Sequence, residues 1–353
     1  MTKRHTALAL CVAALAGSAV AAAPEVAVPR THVVHPGQSI QRAVDIARSG
    51  DTVLVLPGVY HGSVRVTTPR LTLRGAGRRT VVEPGPRNAA DRCAKSGNGI
   101  CVTGTRNRRL TGVTVSDLAV TGFTRAGVFG MATDGLAVRR VTSERNGLWG
   151  FAEERSVRSV YRGNTARANG EAGLFLANTI TAEKGAYDTG GTLLRQNRLE
   201  GNRIGVTIRR LRNVTVSRNV VTGNCAGLFV VGDENKPRAG AVTVRRNRIA
   251  ANNKYCAKTA RLPFLQGSGV VLTGAEDSLV TGNTITGNRG RSPMSGGVVL
   301  FKSFVGAPSR GNRVSGNRLT DNAPADLVNQ ETTKSNNHFQ GNSCRASRPA
   351  GLC

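Results

Sequence analysis

Between Leu193 and Gly232 the apolar residues come in short runs, cut every few positions by an asparagine or a glycine. Asn197, Asn202 and Gly205 are answered by Asn219, Asn224 and Gly227, each shifted by 22 residues. Elsewhere the same pairs of asparagines stand five apart, as Asn164/Asn169, Asn247/Asn252, Asn283/Asn288, Asn312/Asn317 and Asn337/Asn342. Between the two lies a triplet with an apolar centre, such as Arg198-Leu199-Glu200 or Thr284-Ile285-Thr286. A glycine then leads a longer strand (Gly173-Leu174-Phe175-Leu176, Gly227-Leu228-Phe229-Val230), and a third short strand, such as Val214–Val216, precedes the next asparagine. Three short strands in about 22 residues make one turn of a parallel β-helix, whose rungs lie about 4.8 Å apart. Asparagine tolerates the left-handed backbone of tight turns, and its amide can bond its equivalent in the next rung. The repeated asparagines are therefore read as structural, not as sugar ligands. Crossovers between parallel strands are right-handed, so the pattern predicts an all-β, single-stranded, right-handed parallel β-helix over residues 36–343.

Ahead of the repeats, Ser39 can cap a short helix with Ile40, Ala43, Val44 and Ala47 on one face and Gly50 as its stop. The apolar run Val53–Leu56 follows, then strand signals at Val64–Val66, Leu71–Arg74 and Val81–Val82. A helix followed by strands suits a plug over the open end of a solenoid. The opening Lys3-Arg4, the apolar run Ala7–Ala16 and the small residues Ala19-Val20-Ala21 predict a secretory signal peptide over 1–21. A flexible leader is expected over 22–35, and a disulfide-closed tail over 344–353.

The repeats, together with the segment PGQSIQRAVDIARSGDTVLVLPGVY from Pro36, resemble right-handed parallel β-helix proteins of the NosD-like, CASH-domain type in the pectate-lyase-like superfamily. The resemblance covers about residues 33–343. It implies the fold and little of the reaction, because that superfamily includes lyases, hydrolases, epimerases and proteins without known activity.

Charge and cysteines change the picture next. There are 49 Lys and Arg against 21 Asp and Glu, a formal net charge of +28. Such a field favours polyanions, which outside a cell means acidic polysaccharide, cell-wall polymer, anionic lipid headgroups or stray nucleic acid, with no specific nucleic acid expected. Arginines at solvated positions are an equally open reading of that charge. Beyond the signal six cysteines remain, an even count that suggests disulfides in an exported protein. Sequence alone allows 15 pairings; proximity favours Cys93–Cys101 and Cys344–Cys353, leaving Cys225 with Cys256. Their spacing resembles no zinc site. The chain reads as secreted or held in the cell envelope, without a transmembrane segment, and as a monomer.

Candidate chemistry sits where the period is broken. Extra residues at Thr181–Gly191, Gly232–Gly240, Asn253–Ser268 and Arg289–Gly296 adjoin the ends of the glycine-led strand, where they would wall a groove. Two places after each glycine stand Phe129, Ala152, Phe175, Thr207, Phe229, Val271 and Val299, outward if the first residue points in. Phe175 and Phe229 would stack on sugar rings; the inserted loops could equally cover them. Further along come Glu153, Glu154, Arg209, Arg210, Asp233, Glu234, Glu276, Asp277 and Lys302. Glu234 and Glu276 share an aligned position, and paired carboxylates suit glycoside hydrolysis or a calcium cage. Solvated turn residues are the third reading. Elimination or epimerisation of a uronate needs a neutralised carboxylate and a proton acceptor; Arg209, Arg210, Lys302, Lys254, Tyr255 and Arg261 are such types. The expected catalytic set is Glu153, Glu154, Arg210, Glu234, Glu276 and Lys302. The expected substrate contacts are Phe175, Arg209, Phe229, Asp233, Lys254, Tyr255 and Asp277.

Ala152-Glu153-Glu154 stands where mannuronan epimerases have an Asp-Pro-His run, and the signatures of polygalacturonases and pectate lyases are missing. Histidine and methionine are too sparse in the repeats for an obvious copper site. A second surface is basic, since Arg198, Arg203, Arg248, Arg289, Arg313 and Arg318 flank repeat asparagines. Two functional readings follow: binding, with or without processing, of an acidic polysaccharide in the groove, and a non-catalytic envelope scaffold or NosD-like accessory protein.

Overall fold

The computed structural model describes residues 28–86, 91–105, 107–331 and 335–353. The expected signal peptide and the start of the leader lie outside them. From Thr31 the chain winds through three sheets in turn, for instance Thr114–Ser116 in sheet 1, Ala119–Thr121 in sheet 2 and Ala126–Met131 in sheet 3, then back to Ala137–Arg139 in sheet 1. Sheet 1 has twelve strands, sheet 2 ten and sheet 3 eleven, and neighbouring rungs pair in parallel. The glycine-led strands are those of sheet 3. The repeat sets their register: Val206 pairs with Leu228 and Leu228 with Val270, each wholly buried in the apolar axis of the solenoid.

From the Asn164 rung onward, two corners of the rungs are held by asparagine. At the corner between sheets 1 and 2, Asn164, Asn197, Asn219, Asn247, Asn283, Asn317 and Asn342 form a column in which each Nδ2 and backbone N–H donates to the next Oδ1 at 2.8–3.1 Å. A second column runs from Asn146 through Asn169, Asn202, Asn224, Asn252 and Asn288 to Asn322, between sheets 2 and 3. Buried amides are costly unless paired; here each also donates to a backbone carbonyl, as Asn219 does to Leu194 at 3.0 Å, except Asn146, which donates to the Ser143 hydroxyl at 3.1 Å. The asparagines are turn scaffold.

The cap forms as its pattern requires. Helix α1 (Ile40–Ile46) starts at Ser39, whose Oγ accepts the Arg42 N–H at 3.3 Å, and buries Ile40 and Val44 against the first rungs. Thr31–Val34, expected as the end of a flexible leader, instead pairs in register with Thr52–Val55 and starts sheet 1, because Val34 can enter the core there. At the other end Ser347–Arg348 of the expected tail pairs with Leu327–Val328 and extends sheet 3. All three disulfides join the cysteines that proximity favoured.

The insertions do not wall a groove. Two of them, 253–268 and 289–296, place Leu265 and Met294 against the outward face of sheet 3 in a second apolar layer. The outward column has the register the repeat implied, Phe129–Ala152–Phe175–Thr207–Phe229–Val271–Val299. From Ala152 onward it is buried in a cluster that includes Trp149, Ile204, Leu265, Met294 and Phe301, and Cys225–Cys256 ties the largest loop down. Phe175 is 9% exposed and stacks on Trp149 with ring centroids 4.9 Å apart, and Phe229 is 2% exposed. Neither can meet a sugar: burying an aromatic ring under apolar loop residues is more favourable than leaving it in water.

Candidate functional site

Rungs without large insertions leave sheet 3 uncovered near the N-terminal end. There Arg65, Cys101 and Phe129 stack in one outward column, and Thr103 pairs with Met131 in the next. Helix α2 (Arg92–Lys95), capped by Asp91, is held beside them by Cys93–Cys101, and the segment 107–111 rises on the other side. The result is a cleft of about 940 Å³ lined by Arg65, Arg92, Arg108, Arg109, Phe129 and Met131. A second hollow of about 430 Å³ shares Thr105, Arg108 and Arg109 and continues along the stack to Arg155, Asn178 and Tyr187.

Five arginines therefore line one continuous trough. Arg65 lies 3.8 Å from Asp91 and Arg155 3.6 Å from Glu154. Among the described residues Arg92, Arg108 and Arg109 have no ion-pair partner. No carboxylate or imidazole is among the described lining residues. The Tyr187 hydroxyl donates to the Ser156 carbonyl at 2.6 Å, and burial pushes the phenol well above its ordinary range. Arginine forks on an apolar floor suit carboxylates or sulfates carried on sugar rings.

The residues selected from the sequence do not converge on this trough. Glu153 points into the solenoid, in register with Leu176 and Ile208, and is 2% exposed. It accepts the Tyr161 hydroxyl at 2.9 Å, and burial pushes its carboxyl up to about 7. Glu154 faces outward beside the trough, held by Arg155. Arg210 is the largest wholly buried side chain; its Nη1 lies 3.4 Å from Asp233 beneath the 178–187 and 232–240 loops. Arg209 is half-buried and donates to the Ile180 carbonyl at 3.2 Å; burial, with Arg210 and Arg261 nearby, lowers its proton affinity.

Glu234 and Glu276 do not form a pair of reacting carboxylates. The 233–239 insertion carries Glu234 out to solvent, so Glu276 aligns with Gly240 instead. Arg212 takes the Glu276 carboxylate at 2.7 Å and lies 3.6 Å from Asp277, which removes both from a calcium cage. Lys302 is exposed. On the far side of sheet 3, exposed Lys254 donates to the Gly201 carbonyl at 3.1 Å and Tyr255 packs on Phe264. The trough residues Arg65, Arg92, Arg108, Arg109 and Met131 were missed. Their signal was Arg65 in the column of Phe129 and the doublet Arg108-Arg109 in rungs free of covering loops.

Stacked parallel rungs around a single apolar axis, with asparagine columns at two corners, define the class: the chain is a right-handed parallel β-helix protein. Residues 94–240 match the family described as right handed beta helix region, and residues 178–348 match the one described as periplasmic copper-binding protein (NosD). No curated protein matches the sequence. Among solved structures, the A-module of Azotobacter vinelandii mannuronan C-5 epimerase AlgE4 is similar at 17% identity and a TM-score of 0.54, over 86% of this chain and 90% of that one. The periplasmic alginate epimerase AlgG is similar at 14% identity and a TM-score of 0.54, over 88% and 83%. The DFA-IIIase of Arthrobacter chlorophenolicus A6 is similar at 12% identity and a TM-score of 0.54, over 87% and 91%. At these identities the likeness is one of fold.

The donors for copper do not fit a resident ion. All six cysteines after the expected signal are in disulfides, and among the described residues no three His, Cys, Asp or Glu side chains are grouped to hold a metal.

Proposed function

We propose that the protein is exported and binds an acidic polysaccharide or cell-wall polymer in the arginine-lined trough of sheet 3. The observation that carries this reading is the set of three arginines, Arg92, Arg108 and Arg109, lacking ion-pair partners around an open floor of Phe129 and Met131. The paired disulfides favour an oxidising compartment. Replacing Arg108 and Arg109 together by alanine is expected to weaken retention on polygalacturonate or alginate about tenfold, the loss of roughly 1.4 kcal/mol. Its salt dependence should become shallower. Wild-type retention in this double variant would sink the proposal.

Processing of that polymer is the second reading, in which Tyr187, the one phenol among the described lining residues, would act as a proton donor and not as a base, because burial pushes its phenol up. Release of unsaturated ends or a change of epimer, lost in Tyr187→Phe, is the expected result; if neither product forms, the trough is a binding site alone.

A further inference from the structure

The corner between sheets 1 and 2 lies opposite the trough, and apart from Arg140–Asp117 and Arg198–Glu200 its arginines make no ion pair among the described residues. Arg139, Arg162 and Arg195 end sheet 1 strands on three successive rungs. The next rung offers Arg218 from the turn position, and the one after it Arg245 and Arg246. Five consecutive rungs thus each present an arginine above the asparagine column.

The turn does not demand this residue. In other rungs the strand end is Ser116 or Thr281 and the turn position is Gly282, and within this row Ser217 stands before Arg218 and Gly163 after Arg162. Arg218 and Arg246 adopt φ of 55°, a left-handed conformation that glycine enters without strain. Like charges on in-register neighbours about 4.8 Å apart repel. Arg162 donates to Gln196 at 3.0 Å, while Arg139, Arg195, Arg218, Arg245 and Arg246 have no ion-pair partner among the described residues. The repulsion along this row is relieved by an external anion, and only one with closely repeated charge can engage every rung.

We propose that this corner is a docking ridge for a linear carbohydrate polyanion lying parallel to the helix axis. A uronate or sulfated glycan carries charge at regular single-sugar intervals on a stiff chain, which suits a rigid row of guanidinium forks. No aromatic side chain stands among these arginines to stack bases, as single-stranded nucleic acid binding requires. No apolar side chain there could enter a lipid surface. The ridge shares with the trough only the class of polymer; its residues are separate, so either site can fail alone.

The test uses the full mature chain with Arg162, Arg218 and Arg245 replaced by glutamine, beside the Arg108→Ala/Arg109→Ala variant. Long polygalacturonate is expected to bind the ridge variant about tenfold more weakly than wild type, as loss of three surface ionic contacts predicts. A short oligogalacturonate that fills only the trough should bind it unchanged. Unaltered binding of the long polymer by a folded ridge variant overturns the proposal, and so does tighter ridge-dependent binding of duplex DNA or anionic phospholipid vesicles. Should the glutamine variant fail to fold, hydrogen exchange on wild type decides: polymer-induced protection at residues 139–146 and 217–219 supports the ridge, and its absence overturns it.

Discussion

Glu153 shows how one residue escaped a sequence reading that was otherwise in register. The alternation that sends Ala152 outward necessarily sends Glu153 inward, yet its charge drew it into the expected catalytic set. In the fold it is a carboxyl in the apolar axis, bonded to Tyr161 and near Phe151. Unfolded, a glutamate titrates near about 4.3; folded, this one does so at about 7. Its folded pKa is raised, so its contribution to stability is complete below about pH 4 and is lost as pH rises through about 7, on the order of 3 kcal/mol in all. Melting temperature should therefore fall more steeply between pH 5 and pH 8 in wild type than in Glu153→Gln, which keeps a partner for Tyr161. Parallel pH profiles for the two proteins would exclude this account. Arg210 was misplaced for a related reason: a charge beside an insertion looks exposed until the insertion folds over it.

At the scale of elements, the repeat made strands, register, corners and disulfide pairing readable, because each follows from spacing alone. The direction of the loops was not readable. Leu265 and Met294 from these loops, with Phe301 just after the Gly296–Leu300 strand, match an outward column of Phe175, Phe229, Val271 and Val299, and hydrophobic burial closes the two together. The same column ends uncovered at Phe129, which is why the open trough lies several rungs before the place the charges suggested. The corners themselves carry a clear prediction. Asn219→Ala would leave the Asn197 amide and backbone N–H without their acceptor and break the column in its middle. Each orphaned buried donor costs about 1–3 kcal/mol, so denaturant unfolding should show a loss of roughly 2–5 kcal/mol. A loss under about 1 kcal/mol would mean that the columns add little to stability.

Across the whole molecule, a net charge of +28 is distributed unevenly. Acidic partners neutralise many arginines, as Glu144 does for Arg145 and Arg167, while Arg92, Arg108 and Arg109 in the trough and Arg139, Arg195, Arg218, Arg245 and Arg246 at the opposite corner have no ion-pair partner among the described residues. Two such sites on opposite sides of a rigid rod cannot both grip one short chain. Long polygalacturonate should therefore link several protein molecules, and light scattering should rise with polymer length and collapse in high salt. A signal that is independent of polymer length would argue for a single binding face.

The asparagine columns also give the rod a direction. Every amide is oriented alike, oxygen toward the earlier rung and Nδ2 toward the later one, so the dipoles add along the axis and polarise one another. The positive pole of the second column falls at Asn322, and there the series stops at a carboxylate: Asp326 Oδ1 accepts from Asn322 Nδ2 at 2.8 Å. An acid at the donor end is the electrostatic arrangement that favours aspartate at the start of an α-helix. Asp326 is thus a terminator, and lengthening this solenoid would begin with Asp326→Asn.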